Sequence, residues 1–158
     1  MTRPDPVRIE AGGIADLDAV MAVMSDSFDP SFGEAWTAPQ CAGILPMAGV
    51  WLSLARIGDT VAGFSLGRIV LREAELLLLA VRRDFQGIGV GKKLVDHFIA
   101  DSRARNAEHL HLEVRDGNAA VRLYEAAGFH RVGTRRNYYC GTDGALFHAL
   151  TLSRSSNI

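Results

Sequence analysis

Hydrophobic and polar positions change period repeatedly along this chain, and the changes lay out its elements. Val7-Arg8-Ile9 reads as a short strand. Leu17, Val20, Met21, Val23 and Met24 recur at helical spacing, predicting a helix capped by Asp16 and ending near Phe28. The breaker-rich run Asp29-Pro30-Ser31-Phe32-Gly33-Glu34 predicts an irregular loop. Thr37 then caps a short second helix to about Leu45, with Pro39 tolerated in its first turn. Val50 to Ile57 and Thr60 to Leu71 predict two strands joined as a hairpin at Gly58-Asp59.

The middle of the chain has the strongest pattern. Glu75-Leu76-Leu77-Leu78-Leu79-Ala80-Val81 is a continuous apolar run, as expected of a strand covered on both faces. Val90, Leu94, Val95, Phe98 and Ile99 give one apolar helical stripe to about Arg105. His109-Leu110-His111-Leu112-Glu113-Val114 alternates strictly, with His109, His111 and Glu113 on one face. Asn118 opens a helix through Leu123 and Tyr124 that stops at Gly128. Phe129 to Tyr139 and Ala145 to Leu152 are closing strands, turning at Gly141 to Gly144, and Ser153 to Ile158 reads as a frayed polar tail. The order predicts one α/β domain of the α+β kind over residues 1–158, with its core at about 7–152: a mixed, mostly antiparallel central sheet with helices on both faces.

Between the leucine strand and the amphipathic helix lies Gln86-Gly87-Ile88-Gly89-Val90-Gly91-Lys92. Strand, glycine turn and helix aim free backbone N–H groups at an anion, and the helix N-terminus adds roughly half a positive charge. Arg82, Arg83, Lys92 and Lys93 flank this cradle. A Walker A loop needs glycine where Gln86 stands and Ser or Thr where Lys93 stands. A dinucleotide fingerprint needs a third glycine at Lys92. Both spacings fail.

Composition narrows the classes. The chain has 158 residues, 48% of them hydrophobic, ample for a core. Its formal charge of −1 offers no broad basic field for nucleic acid. No apolar run approaches the ~18 residues of a membrane span. The first residues carry no apolar signal-peptide core, so a cytoplasmic location is expected. Cys41 and Cys140 lack Cys-x-x-Cys spacing and read as free buried thiols. His109, His111 and Glu113 lack a fourth ligand, so no metal is expected; passing protons from Glu113 to solvent suits the histidines better, and ordinary solvated strand polarity better still.

The pattern Gln-x-x-Gly-x-Gly at Gln86 to Gly91 resembles the pyrophosphate loop of the GNAT acetyltransferases. Leu112-Glu113-Val114-Arg115, Asn118, Leu123-Tyr124-Glu125-Ala126-Ala127-Gly128-Phe129 and Arg135-Arg136-Asn137-Tyr138-Tyr139 with Asp143-Gly144 narrow the resemblance to one branch. That branch is the RimI-type ribosomal-protein alanine N-acetyltransferases, and the likeness runs from Leu76 to Leu152. It implies a GNAT fold, acetyl-CoA as donor, and the N-terminal alanine of a small-subunit ribosomal protein as acceptor. It implies Glu113 as general base and Tyr124 as general acid. Leu79, Ala80, Val81, Gln86, Gly87, Ile88, Gly89, Val90, Gly91, Lys92 and Asn118 fall where the family holds the cofactor. Another amine acceptor, or a non-catalytic acyl-CoA-binding module, is the alternative.

Two departures stand out. The Asn118–Tyr124 spacing is one residue short of the family's, and Phe28 to Trp36 is longer than the family's compact Pro-Trp element. The chemistry is consistent on its own terms. An α-amine of pKa near ~8 loses its proton at pH 7 for roughly 1.4 kcal/mol, a lysine near ~10.4 for roughly 4.6. One carboxylate suits the easier substrate. A backbone N–H near Val81 would polarise the carbonyl, and Arg135, Arg136, Tyr138 and Tyr139 are available to line an acceptor groove.

Overall fold

A computed structural model describes residues 6–157. Seven strands form one sheet in the order β1-β2-β3-β4-β5-β7-β6. They are β1 (Val7–Gly12), β2 (Val50–Ile57), β3 (Thr60–Val70), β4 (Glu73–Val81), β5 (His109–Arg115), β6 (His130–Cys140) and β7 (Leu146–Ser155). Every neighbouring pair is antiparallel except β4 and β5. Among the described residues the four α-helices are α1 (Leu17–Ser27), α2 (Ala38–Ile44), α3 (Val90–Ala104) and α4 (Ala120–Ala126). The expected mixed, mostly antiparallel sheet is borne out.

Alternation along the strands divides the core between the sheet's two faces. Leu52 and Leu54 of β2 and Phe64 and Leu66 of β3 pack with Val20, Val23 and Met24 of α1 and Cys41 of α2. Trp51 of β2 joins Val95, Phe98 and Ile99 of α3, with Leu110, Leu112 and Val114 of β5 and Tyr124 of α4. Val90 and Leu94 of α3 close over Ala55 and Ala62. Thr37 and Gln40 form a reciprocal capping box at α2, confirming that start. Asp16 does otherwise: its carboxylate accepts from the Gly13 N–H, 2.9 Å away, and makes no cap bond to α1.

Four expectations need correction. The leucine strand is covered on both faces, Ala74 and Leu76 packing with α3 and Leu78 and Ala80 with α1, but a bulge opposite Leu66 and Gly67 breaks its alternation and leaves Glu75, Leu77, Leu79 and Val81 only half-buried. Its stretch from Glu75 to Val81 lines a cleft. The helix expected from Asn118 begins at Ala120. Cys140 is exposed, unlike buried Cys41, because it ends β6 at the sheet's edge. Ser153 to Ser155 are strand residues, and Arg154 and Ser156 are buried. Arg154 donates to the carbonyls of Ala127 and Ser155, and Arg103 donates to that of Ser156, which satisfies the buried polar groups of this end.

The feature that positions the site is a fork. β4 and β5 pair from Glu73↔His109 to Leu76↔Leu112 and no further. Beyond that register β4 continues to Val81, held by β3 alone, while β5 continues to Arg115, held by β7 alone. The two strands part, and a cleft of about 1090 Å³ opens between their ends.

Candidate active site

One end of the cleft is built by the glycine loop. Arg83–Phe85 makes a single 3-10 turn after β4, and the chain then enters Gln86-Gly87-Ile88-Gly89 before α3. The Gln86 side chain donates to the Val81 carbonyl at 3.0 Å, tying the loop to the end of β4. Gly87 and Gly89 have φ of +81° and +94°, a region side chains rarely enter, and a Cβ on either would meet nothing within 4 Å. Their openness is what a phosphate-sized group requires. Gly91 serves differently: a Cβ there would come 3.1 Å from Leu123 of α4, so this glycine lets α3 and α4 approach. The first turn of α3 leaves N–H groups without intrahelical partners, directed at the loop.

The expected cofactor residues divide accordingly. Leu79, Ala80, Val81, Gln86, Gly87, Gly89, Gly91, Lys92 and Asn118 line the cleft. Ile88 is exposed and Val90 is buried in the core; neither side chain lines it, so each offers at most its backbone. Of the four flanking cations, Arg83 and Lys92 line the cleft, whereas Arg82 and Lys93 do not. Lys92 pairs with Asp96 at 2.7 Å, and Arg82 donates to the Val61 carbonyl.

Glu113 and Tyr124 line the same cleft. Glu113 Oε1 lies 3.1 Å from Arg135 Nε. Its Oε2 is, among the described residues, the one buried side-chain polar atom without a hydrogen-bond partner. Burial raises the Glu113 carboxyl above the ordinary range, and the Arg135 guanidinium opposes that rise. The Tyr124 ring packs edge-on to Phe129, and its burial pushes the phenol well up, keeping it protonated. Tyr139 is raised by burial too, and its hydroxyl donates to the Glu113 carbonyl at 3.4 Å. Arg135, Tyr138 and Tyr139 line the cleft, and Arg136 does not.

The two histidines separate. His109 is exposed, whereas His111 stands opposite Glu75 in the β4–β5 register, 3.6 Å from its carboxylate. That pairing raises His111 and lowers Glu75, with Arg68 a second partner of Glu75 at 3.4 Å. Sequence reasoning missed Glu75, which sits inside the leucine run; its polarity there was the available signal. It also missed Glu34. The Glu34 carboxylate accepts from Arg115 Nε at 2.8 Å and from Asn118 Nδ2 at 2.7 Å. Nothing in an irregular loop marks such a residue.

A glycine-rich loop at a helix N-terminus thus shares one cleft at a strand fork with a carboxylate and a phenol. The acetyltransferase (GNAT) family model matches residues 17–129. The chain belongs to that family. It is 43% identical over 97 residues to the ribosomal protein bS18-alanine N-acetyltransferase of Escherichia coli, an alignment covering 59% of this chain and 66% of that enzyme. The crystal structure of the Escherichia coli enzyme superposes with a TM-score of 0.86 at 30% identity, covering 97% of this chain and 96% of that one. The N-alpha-acetyltransferase RimI of Mycobacterium tuberculosis is 33% identical over 138 residues, covering 84% of this chain and 80% of the relative. The resemblance to RimI-type N-acetyltransferases is borne out. No helix of the described residues is long and apolar enough to cross a membrane.

Proposed function

We propose that this chain is an N-acetyltransferase that moves acetyl from acetyl-CoA to a protein N-terminal α-amine in the cytoplasm, by direct attack within a ternary complex. Its acceptor is the N-terminal alanine of a small-subunit ribosomal protein, the substrate class that the Escherichia coli relative's name carries. The observation that supports the reading is the fork, whose cleft is lined both by the glycine loop and by Glu113, with its unpartnered Oε2.

Acetyl-CoA supplies the activated acyl group and a thiolate leaving group. Gly87, Gly89 and the first turn of α3 hold its pyrophosphate through backbone N–H groups. Leu79 to Val81, unpaired on the side toward β5, hold the acyl end and present an N–H to the carbonyl oxygen. Glu113 takes the proton that the ammonium must lose, directly or through water. Its raised proton affinity narrows the gap to an amine near ~8. Tyr124 returns a proton to the departing thiolate. The nitrogen gains the acyl carbon and loses two protons: the ammonium proton, passed through Glu113 to solvent, and a second as the tetrahedral intermediate collapses, which replaces the one Tyr124 gives to the sulfur as the C–S bond breaks. Neither Cys41 nor Cys140 lines the cleft, which favours direct attack over an acetyl-enzyme.

The test is acetyl-CoA consumption with a peptide beginning with alanine, free or N-terminally blocked. Turnover abolished by the block, and reduced on the order of 10²-fold by Glu113→Gln and by Tyr124→Phe, is the expected result. A free peptide that is not acetylated, beside a lysine or small amine that is, overturns the acceptor.

A further inference from the structure

Glu34 connects parts of the site that the sequence places far apart. It stands just after a 3-10 turn at Pro30–Phe32. Its carboxylate is nearly buried and is divided between two donors, Arg115 Nε on the end of β5 and Asn118 Nδ2 before α4. Arg115 is in turn fixed from a second direction, its guanidinium 3.8 Å over the Phe32 ring, and Phe32 meets Phe147 edge-on at 5.3 Å. Asn118 is committed at both ends: Nδ2 to Glu34, and Oδ1 accepting from the Ala120 N–H at 2.8 Å. Ala120 is the first residue of α4, and Tyr124 lies one turn further on. Arg115 lies two residues after Glu113 on the same face of β5.

We infer that Glu34 is a positioning residue for acetyl transfer: by holding Arg115 and Asn118 on one carboxylate, it sets the Tyr124 helix against the Glu113 strand. The two departures from the family pattern then account for each other. The shortened Asn118–Tyr124 segment starts α4 two residues after Asn118, and the lengthened Phe28–Trp36 segment delivers the carboxylate that holds that start in place. Asn118 contributes through Glu34 and Ala120, with one bond at each end of its amide.

This inference rests on the acetyl-transfer reading, and its test separates the two. kcat and KM are measured for Glu34→Gln, Tyr124→Phe and the double variant, with the alanine peptide and, in parallel, for acetyl-CoA hydrolysis with water as acceptor. Glu34→Gln is expected to lower kcat at least about tenfold with KM for acetyl-CoA unchanged, an effect shrinking to under about twofold in the Tyr124→Phe background. Asn118→Ser keeps a hydroxyl acceptor for the Ala120 N–H and loses the donor to Glu34 without adding charge, so it is expected to reproduce Glu34→Gln. This second variant decides the matter if the first does not fold. Effects of Glu34→Gln and Tyr124→Phe that multiply independently, or a raised KM for acetyl-CoA in Asn118→Ser with kcat intact, overturn the inference. Hydrolysis without peptide acetylation fails the acceptor reading while leaving the cycle readable. Neither reaction in the wild-type chain overturns both.

Discussion

At Glu113 two influences act on one carboxyl. Burial favours the neutral form, and Arg135 at 3.1 Å favours the charged one. As a base Glu113 works only when ionised, so activity falls as pH drops through its pKa. Arg135→Gln removes the opposing charge and leaves the burial. The acid limb of kcat/KM is therefore expected to move to higher pH, read from rates across about pH 5–9. A limb that stays in place, or moves down, would show that Arg135 does not act on the base. The strict alternation of β5 was enough to put Glu113 on the polar face. Its partner was not legible, because Arg135 comes from β6, two strands away across β7, and that register exists only once the sheet is built. The same holds for Glu34: its role comes from two distant donors, and no local period announces it.

Elements were legible wherever one local signal dominated. The apolar stripe of α3 and the capping box of α2 follow from neighbours within one or two turns, and both elements form where expected. The end of β7 was misread because Ser153-Arg154-Ser155-Ser156 is polar, and polar segments are buried only when distant groups satisfy them. Here those groups are the carbonyl of Ala127, at the end of α4, and Arg103, late in α3. Arg154→Met would leave the part-buried Ala127 carbonyl without this donor. It is expected to lower the unfolding free energy by about 0.5–1.5 kcal/mol, measured by urea titration. A change near zero would restore the reading of this end as a frayed tail.

At the scale of the whole molecule, the architecture turns on where β4 and β5 stop pairing. The leucine run and the alternating strand each predicted a sheet member, but neither could tell where the two would part. Glu75 and His111 mark the place: they face one another one register before the last pair, Leu76↔Leu112. Glu73 and Glu113 add negative charge around His111, and Arg68 and Arg135 positive charge around Glu75. His111 is raised above 6.5 in the folded chain, so its contribution is whole below that value and is lost as pH rises through the folded pKa. Glu75 is lowered below 4.5, so its contribution is whole above that value and is lost as pH falls through the folded pKa. The pair therefore stabilises the fork most between these limits and less on the alkaline side. The difference in urea midpoint between wild type and His111→Gln is expected to be largest near about pH 6 and to shrink by about pH 8. If instead it grew toward alkaline pH, His111 would be held neutral, and the pair would not be what keeps the strands together up to the point where the cleft begins.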